Sequence, residues 1–391
     1  MEQLNTKLRI LKTKFEANEQ ITIMIIGLGS VGMYLLDYLV SLQNPQIKIV
    51  VVGRNRDKME KDVNIIRTGA AIRCQLWSKI DIISGCDLNN VGSITTAINT
   101  VRPDFIVNTS RVYSGLKYGS ISWNSLRAYG IWSPLSIRYA KNIMEAYVAS
   151  DSNAITINTS YSDVVIPWLK SAGKAYFDFG SGNLNHLVPR MKFYMAKKFN
   201  IDNLNEIDVT LAVSHYHDVV ISKEGHSEGQ KLLINIKNNG RVVSFDQDDL
   251  LKACVIPMPT DQKRNMMNAS SNFNIIDAIL TALQEKSIKK IHAPGTDGEI
   301  GGYPVLINGN CVTACFDTTL FSMDEMRAAN RKSIYCDGIE DVTNGCLIYT
   351  DELVEKVNRV FKCNLPKVVS FDEIDMTAEW IIDNIIKSYI K

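Results

Sequence analysis

The chain has 391 residues, of which 46% are hydrophobic and 22% charged, with a formal net charge of +1. Such a length exceeds one ordinary core and suits two domains, and the composition argues against long disorder. The near-zero charge leaves no global field to recruit nucleic acid or an anionic membrane surface.

The opening stretch, MEQLNTKLRILKTKFEANEQ, has no apolar core of the kind a signal peptide needs and predicts a short amphipathic helix over 1–20. No apolar run approaches the roughly 20 residues of a membrane-spanning helix. The eight cysteines at 74, 86, 254, 311, 315, 336, 346 and 363 form no Cys-x-x-Cys and read as reduced thiols of a cytoplasmic protein. Cys311 and Cys315 are expected on one face of a strand.

From residue 21 the chain alternates strand and helix. A β-branched run from Ile21 to Ile26 stops at Gly27, after which Leu35, Leu36, Leu39 and Leu42 recur at helical spacing. The stretches QIKIVVVGRN, KIDIISGCDL, PDFIVNTS and NAITINTS predict further strands. Between them, DKMEKDVNIIRTGAAI, VGSITTAINTV and PLSIRYAKNIMEAYVAS predict helices. This pattern predicts a Rossmann-type parallel sheet over 21–160 with helices on both faces.

Residues 161–391 change character and predict an α+β substrate or dimerisation domain with antiparallel strands. EIDVTLAVSHYHDVVISK reads as one long strand. Hairpins are predicted at Asn239-Gly240, Asn308-Gly309 and Asn344-Gly345. Ser322 with Glu325 is a capping box opening a helix, HAPGTDGEIGGYPV is a loop, and an amphipathic helix closes the chain.

GLGSVG, residues 27 to 32, is a Gly-x-Gly-x-x-Gly placed directly between a strand and a helix. There the first glycine allows the tight turn, the second lets backbone approach a pyrophosphate, and the third lets helix and strand pack closely. Gly27, Gly29, Ser30, Val31 and Gly32 are therefore dinucleotide-binding candidates, joined by the strand-end residues Asn108, Ser110 and Asn158. At the end of the second strand, where an acid would hold the ribose of NAD, stand Arg54, Asn55 and Arg56. Arginine can fork onto a 2′-phosphate, which favours NADP, with NAD open.

LAVSHYHDVVI holds two of the five histidines. On a strand His215 and His217 would share one face and both reach a cleft, as proton carriers or, with Asp218, as metal ligands. The metal is the lesser expectation.

The order of these pieces resembles the lactate/malate dehydrogenase superfamily over about residues 21 to 222. GLGSVG is similar to its nucleotide loop, FDFGSGNLNHLVPRM to its Gly-Ser-Gly segment and following helix, and AVSHYHDVVI falls where it carries the catalytic histidine. The resemblance implies hydride transfer between a nicotinamide and a small polar metabolite bearing a carboxylate or phosphate, at a carbonyl or imine carbon. It implies proton exchange by His215 or His217, oriented by Asn185 or His186 where the superfamily has an aspartate. It further implies substrate charge held by Arg111 or Arg127 and Arg190, Asn158 near the nicotinamide ribose, and a homodimer. GTDGEIGGYPVLI is similar to chains described as saccharopine-dehydrogenase-like.

Two short matches point elsewhere. Tyr113 to Lys117 fits the Tyr-x-x-x-Lys pair of short-chain reductases but follows the fourth strand instead of the fifth. GNLNHL resembles an Asn-His segment of NAD-dependent glycosidases without their cysteine ligand. Two alternatives therefore stay open: a metal-assisted lyase or glycosidase that recycles its nicotinamide, and a non-catalytic dinucleotide sensor.

Overall fold

The computed structural model describes residues 1–76, 78–113, 118–119, 121–182 and 184–390. The Tyr-x-x-x-Lys stretch past Tyr113 lies outside the described residues.

Six strands, β1 (Ile21–Ile26), β2 (Ile47–Val52), β3 (Lys79–Ile83), β4 (Phe105–Asn108), β5 (Ile155–Asn158) and β6 (Phe179–Gly180), form one parallel sheet in the order β3-β2-β1-β4-β5-β6. Helices α1 (Glu2–Glu16), α2 (Ser30–Val40), α3 (Arg56–Arg73), α4 (Val91–Val101), α5 (Ser133–Ala149), α6 (Ser162–Ser171) and α7 (Leu184–Phe199) accompany it. Alternate side chains of β1 enter different cores, as a strand buried on both faces requires. Ile21, Ile23 and Ile25 join one apolar cluster with Leu4, Leu8 and Leu11 of α1, whereas Met24 and Ile26 join the other with Ile94 of α4 and Ile143 of α5. The first and fourth strands end side by side at Ile26 and Asn108. Their neighbouring helices depart to opposite faces, and that switch point is where such sheets bind ligands. β6, only two residues long, offers no periodicity to read and was not foreseen.

The second half supplies three antiparallel sheets. They are β7 (Ile207–Ala212), β8 (Leu233–Asn238) and β9 (Arg241–Val242); β10 (Ile288–Pro294), β11 (Gly302–Asn308) and β12 (Thr313–Phe316); and β13 (Ile339–Thr343), β14 (Cys346–Tyr349) and β15 (Val368–Ser370). Between and around them run α8 (His215–Glu224), α9 (Gln247–Ala253), α10 (Asn265–Glu285), α11 (Met323–Cys336), α12 (Asp351–Phe361) and α13 (Ile374–Ile381). The hairpin signals fall at the β8–β9, β11–β12 and β13–β14 turns, and the Ser322–Glu325 capping box opens α11.

Three expectations change. The long strand from 206 stops at Ala212, and α8 begins at His215 after the extended Ser214. The apolar residues there recur as Tyr216, Val220 and Ile221, all buried, which a helix can place together and a strand cannot. Cys311 sits in the β11–β12 turn and not beside Cys315 on a strand. HAPGTDGEIGGYPV is a loop only over 295–301, its flanks belonging to β10 and β11. The closing amphipathic helix stands where expected, with a π-helical turn, Ile382–Ile386, in its middle.

Candidate active site

A cleft of about 690 Å³ opens at the carboxyl ends of the parallel strands and extends to α8 and α10. At one end is the glycine loop. Gly27 adopts φ +93°, a left-handed conformation that favours glycine, and a Cβ on it would stand 3.0 Å from Ser110 Cα. A Cβ on Gly29 would meet nothing within 4 Å and so would enter the space a ligand would use. On Gly32 it would fall 2.3 Å from the Gly27 carbonyl oxygen, so this glycine sets the close approach of α2 to its strand. Each glycine thus has the role its position in the motif requires, and the loop fits a diphosphate against the free N–H groups opening α2.

Of the other cofactor candidates, Ser30, Val31, Arg54, Asn55 and Ser110 line the cleft. Arg56, at the start of α3, faces a separate depression. Asn108 and Asn158 are fully buried and satisfied by one another and by the chain: Asn108 Nδ2 donates to Asn158 Oδ1 at 2.9 Å, and Asn158 Nδ2 donates to the Ser160 carbonyl and Ser162 Oγ. They brace the ends of β4 and β5 from beneath the cleft, and Asn108 Oδ1 accepts from Ser110, which does reach it.

At the other end stands His215. In a helix, residues two apart point about 200° from each other, so His215 and His217 separate. His215, Val219 and Lys223, at four-residue spacing, line the cleft together. His217 is buried behind them, where Nδ1 meets Ser333 Oγ at 2.7 Å and Nε2 the Ser227 carbonyl at 3.2 Å. Burial lowers its pKa from the ordinary value. The shared-face geometry that chelation by a His-x-His strand needs is therefore not present. Among the described residues, no three His, Cys, Asp or Glu side chains group at metal-binding spacing.

The carboxylate that holds His215 comes from an unforeseen place. His215 Nδ1 donates to Asp337 Oδ2 at 2.8 Å, and Asp337 lies at the C-terminal cap of α11, buried with no exposed surface. The same oxygen accepts from the Tyr161 hydroxyl at 2.6 Å, while Oδ1 accepts the Tyr129 backbone N–H at 2.7 Å. Both tyrosine rings meet the imidazole edge-on, with centroids 5.0 and 4.6 Å away. Tyr161 is held at φ +44°, in the left-handed region a bulky residue seldom occupies, which spends backbone strain on aiming this ring. Asp163 Oδ1 accepts the His215 backbone N–H at 3.1 Å. Burial disfavours charge on the ring, but Asp337, by charge and hydrogen bond and with a smaller contribution from Asp163, outweighs burial and raises the His215 pKa. With Nδ1 occupied, Nε2 is the nitrogen left to exchange a proton.

The positions expected to orient the histidine and hold substrate charge do other work. Asn185 donates to Ser271 Oγ at 2.7 Å, tying α7 to α10. Arg190, 2% exposed, points away from the cleft and donates to the Cys254 carbonyl at 2.6 Å. Arg127 pairs with Glu224 and Glu228. Arg111 lines the cleft, as does Arg264, which the sequence did not single out. His186 reaches the cleft wall, its Nδ1 3.8 Å from Asp218 Oδ2. This is not an ion pair near neutrality: burial, helped by Arg264 and Arg190, pushes the imidazole down to about 3, and burial pushes Asp218 up to about 8. Burial likewise raises Asp163 to about 6, against the pull of His215.

The six-stranded parallel sheet with its glycine loop at the switch point is a Rossmann-type fold similar to that of malate dehydrogenases. Solved structures share that fold. The malate dehydrogenase of Cryptosporidium parvum aligns with 81% of this chain and 96% of its own, at 13% identity and a TM-score of 0.54. That of Picrophilus torridus aligns over 81% and 94%, at 15% identity and 0.53. That of Salinibacter ruber aligns over 80% and 94%, at 12% identity and 0.51. No protein-family model matches the sequence, and no curated protein does. Among the described residues no helix is long and apolar enough to cross a membrane.

Proposed function

We propose that this protein is a nicotinamide-dinucleotide-dependent oxidoreductase acting at a carbonyl or imine carbon of a small polar metabolite. The observation that carries the reading is the single cleft that runs from the Gly27–Gly32 loop to the His215–Asp337 pair. Likeness of fold to malate dehydrogenases supports it. The dinucleotide, when bound, supplies the hydride acceptor or donor.

The chain's own residues do the rest. Ser30, Val31 and the open face of Gly29 would cradle the diphosphate, and Ser110 and Thr109 would border the ring end. Arg54, with Lys58 beside it on the cleft wall and no acid among the described lining residues there, would meet the adenosine ribose. That arrangement favours a 2′-phosphate, hence NADP over NAD. In the reductive direction His215 Nε2 delivers a proton to the oxygen or nitrogen that gains electron density; in the oxidative direction it removes that proton. Asp337 keeps Nδ1 protonated and stabilises the imidazolium. Tyr129 and Tyr161 hold the ring's angle and exclude water from its faces.

The test is calorimetry with NADPH and NADH, followed by a screen of carbonyl and imine substrates at 340 nm with wild type, His215→Ala and Asp337→Asn. Dinucleotide binding retained by both variants, with turnover lost, is the expected result. No association with either nucleotide would refute the reading, and so would turnover that survives loss of His215. Binding with no turnover of any compound, and no effect of His215→Ala, would favour the sensor.

A further inference from the structure

In superfamily-like chains a helix arginine would be expected to hold the substrate's charge, yet here the α7 arginine, Arg190, is turned into the protein and spent on the Cys254 carbonyl. The cleft nevertheless carries an excess of positive charge: among the described residues five lysines and arginines line it, against two aspartates. Two of the cations, Arg54 and Lys58, belong to the dinucleotide end. Arg264, half-buried at the start of α10, and Lys223, on the rim at the end of α8, belong to the His215 end.

Neither has a carboxylate partner among the described residues. Lys223 stacks on Trp123, 5.5 Å from the ring centroid. Partial burial and the charge of Arg264 lower the Lys223 pKa against the pull of the neighbouring Glu224, whose carboxylate is itself paired with Arg127 and His226, so the two cations lie near enough to repel and neither is in an ion pair of its own. The aspartates nearby do not fill that gap. Asp163 is buried against the His215 backbone, and Asp261 Oδ1 accepts the Lys263 N–H. Asp218 is kept protonated near neutrality by burial. Two like charges left uncompensated in a half-enclosed cleft cost free energy unless a ligand supplies the counter-charge.

We propose that Arg264 and Lys223 form an anion-binding subsite for the substrate, and that this substrate carries a carboxylate or phosphate several bonds from the carbon that reacts. This rests on the oxidoreductase reading of the same cleft. The spacing argument is geometric. His215 and Lys223 are eight residues apart on one helix face, about 12 Å along its axis. Helical side chains lean towards the N-terminus, the imidazole together with the ammonium, so only the greater length of lysine shortens that separation, and roughly 10 Å remains. An anion held there cannot sit on the carbon adjacent to the one His215 serves, so a short 2-hydroxy acid bound by its own carboxylate does not fit this subsite.

Inorganic phosphate and malonate are the probes, titrated by calorimetry into wild type, Arg264→Gln, Arg264→Lys and Lys223→Gln, with and without saturating NADPH to occupy the Arg54 end. Thermal melts verify that each variant folds. A charged hydrogen bond lost should weaken binding about ten- to hundredfold in Arg264→Gln, less in Arg264→Lys, with Lys223→Gln reporting independently should the arginine variants fail to fold. Whichever probe binds tighter in an Arg264- or Lys223-dependent way identifies the head group. Anion binding that is unchanged in Arg264→Gln and Lys223→Gln, or that vanishes when NADPH is present, would overturn the subsite. If NADPH fails to bind while phosphate or malonate still depends on Arg264, the redox reading falls and the anion site stands.

Discussion

Asp337→Asn isolates the contact on which the proposed proton chemistry depends. Asparagine keeps the volume and can still accept the Tyr129 N–H, but it cannot stabilise an imidazolium by charge. The 2.8 Å contact to His215 Nδ1 is a hydrogen bond to an ionised group, in about the 1.5–3 kcal/mol class. At roughly 1.4 kcal/mol per tenfold, its loss should slow a step that needs the charged ring by about ten- to hundredfold. The equilibrium consequence needs no substrate to observe. Burial is the largest influence on His215 and lowers its pKa, and Asp337 is the largest of those that reverse it. Without that charge the titration should move from above the ordinary 6.5 to below it. Imidazole NMR suits the measurement because the chain has only five histidines. His186 and His292, pushed by burial to about 3, stay silent above pH 5, leaving three rings to follow. A His215 signal that titrates below 6.5 in the wild type, or one that does not move in the variant, would refute the reasoning.

The glycine loop separates binding from folding. Gly29→Ala should melt like wild type, since its Cβ meets nothing within 4 Å, yet lose most dinucleotide affinity by calorimetry; Gly32→Ala, with a Cβ 2.3 Å from the Gly27 oxygen, should lower the melting temperature as well. Arg54→Gln should weaken NADPH about ten- to hundredfold while changing NADH little, and equal losses for both would remove Arg54 from the 2′-phosphate. Asp218→Asn should become progressively more stable than wild type as pH rises. Its carboxyl, raised by burial from 3.8 to about 8, holds a proton in the folded chain that the unfolded chain releases, so its contribution to stability drains away between those values. The gap should widen by about 2 kcal/mol from pH 6 to 7.5, at roughly 1.4 kcal/mol per unit, and pH-independent melting differences would contradict it.

The parallel sheet was legible because its strands are near-continuous apolar runs separated by helices of clear period, and because the motif glycines sit between β1 and α2. Each of those signals is local. The stretch 206–222 was misread for the same reason: LAVSHYHDVV is apolar enough for a strand, and only Ser214 marks the break. The error matters for chemistry, since it placed His217 beside His215 when a helix sends it to Ser333. Asp337 was beyond local reading altogether. It is 122 residues from His215 in sequence, and its immediate context, Cys-Asp-Gly at a helix end, reads as an ordinary turn. Arg264 and Tyr161 share that difficulty, for nothing in their neighbours distinguishes a cleft arginine or a strained tyrosine from surface ones.

The source of the carboxylate shows what constrains such a site. Orienting an imidazole requires an acceptor about 2.8 Å from Nδ1, shielded enough that water does not replace it, and it does not require that acceptor to come from any given element. In this chain α7 is committed elsewhere: Asn185 ties it to Ser271, and Arg190 is fixed on the Cys254 carbonyl. The requirement is met instead by the residue that caps the C-terminus of α11, where the chain turns into β13 and Gly130 packs against the Asp337 carbonyl. Asp337 also receives the Tyr129 N–H and the Tyr161 hydroxyl, so its position is set from three sides before any ligand arrives. His215 and Asp337 both lie in the second half of the chain, so the proposed proton-transferring pair depends on how α8 packs against the end of α11 and β13, with the Tyr129 N–H from the first half fixing Asp337. Disturbing the β13–β14 sheet should therefore silence His215 while leaving the nucleotide loop able to bind.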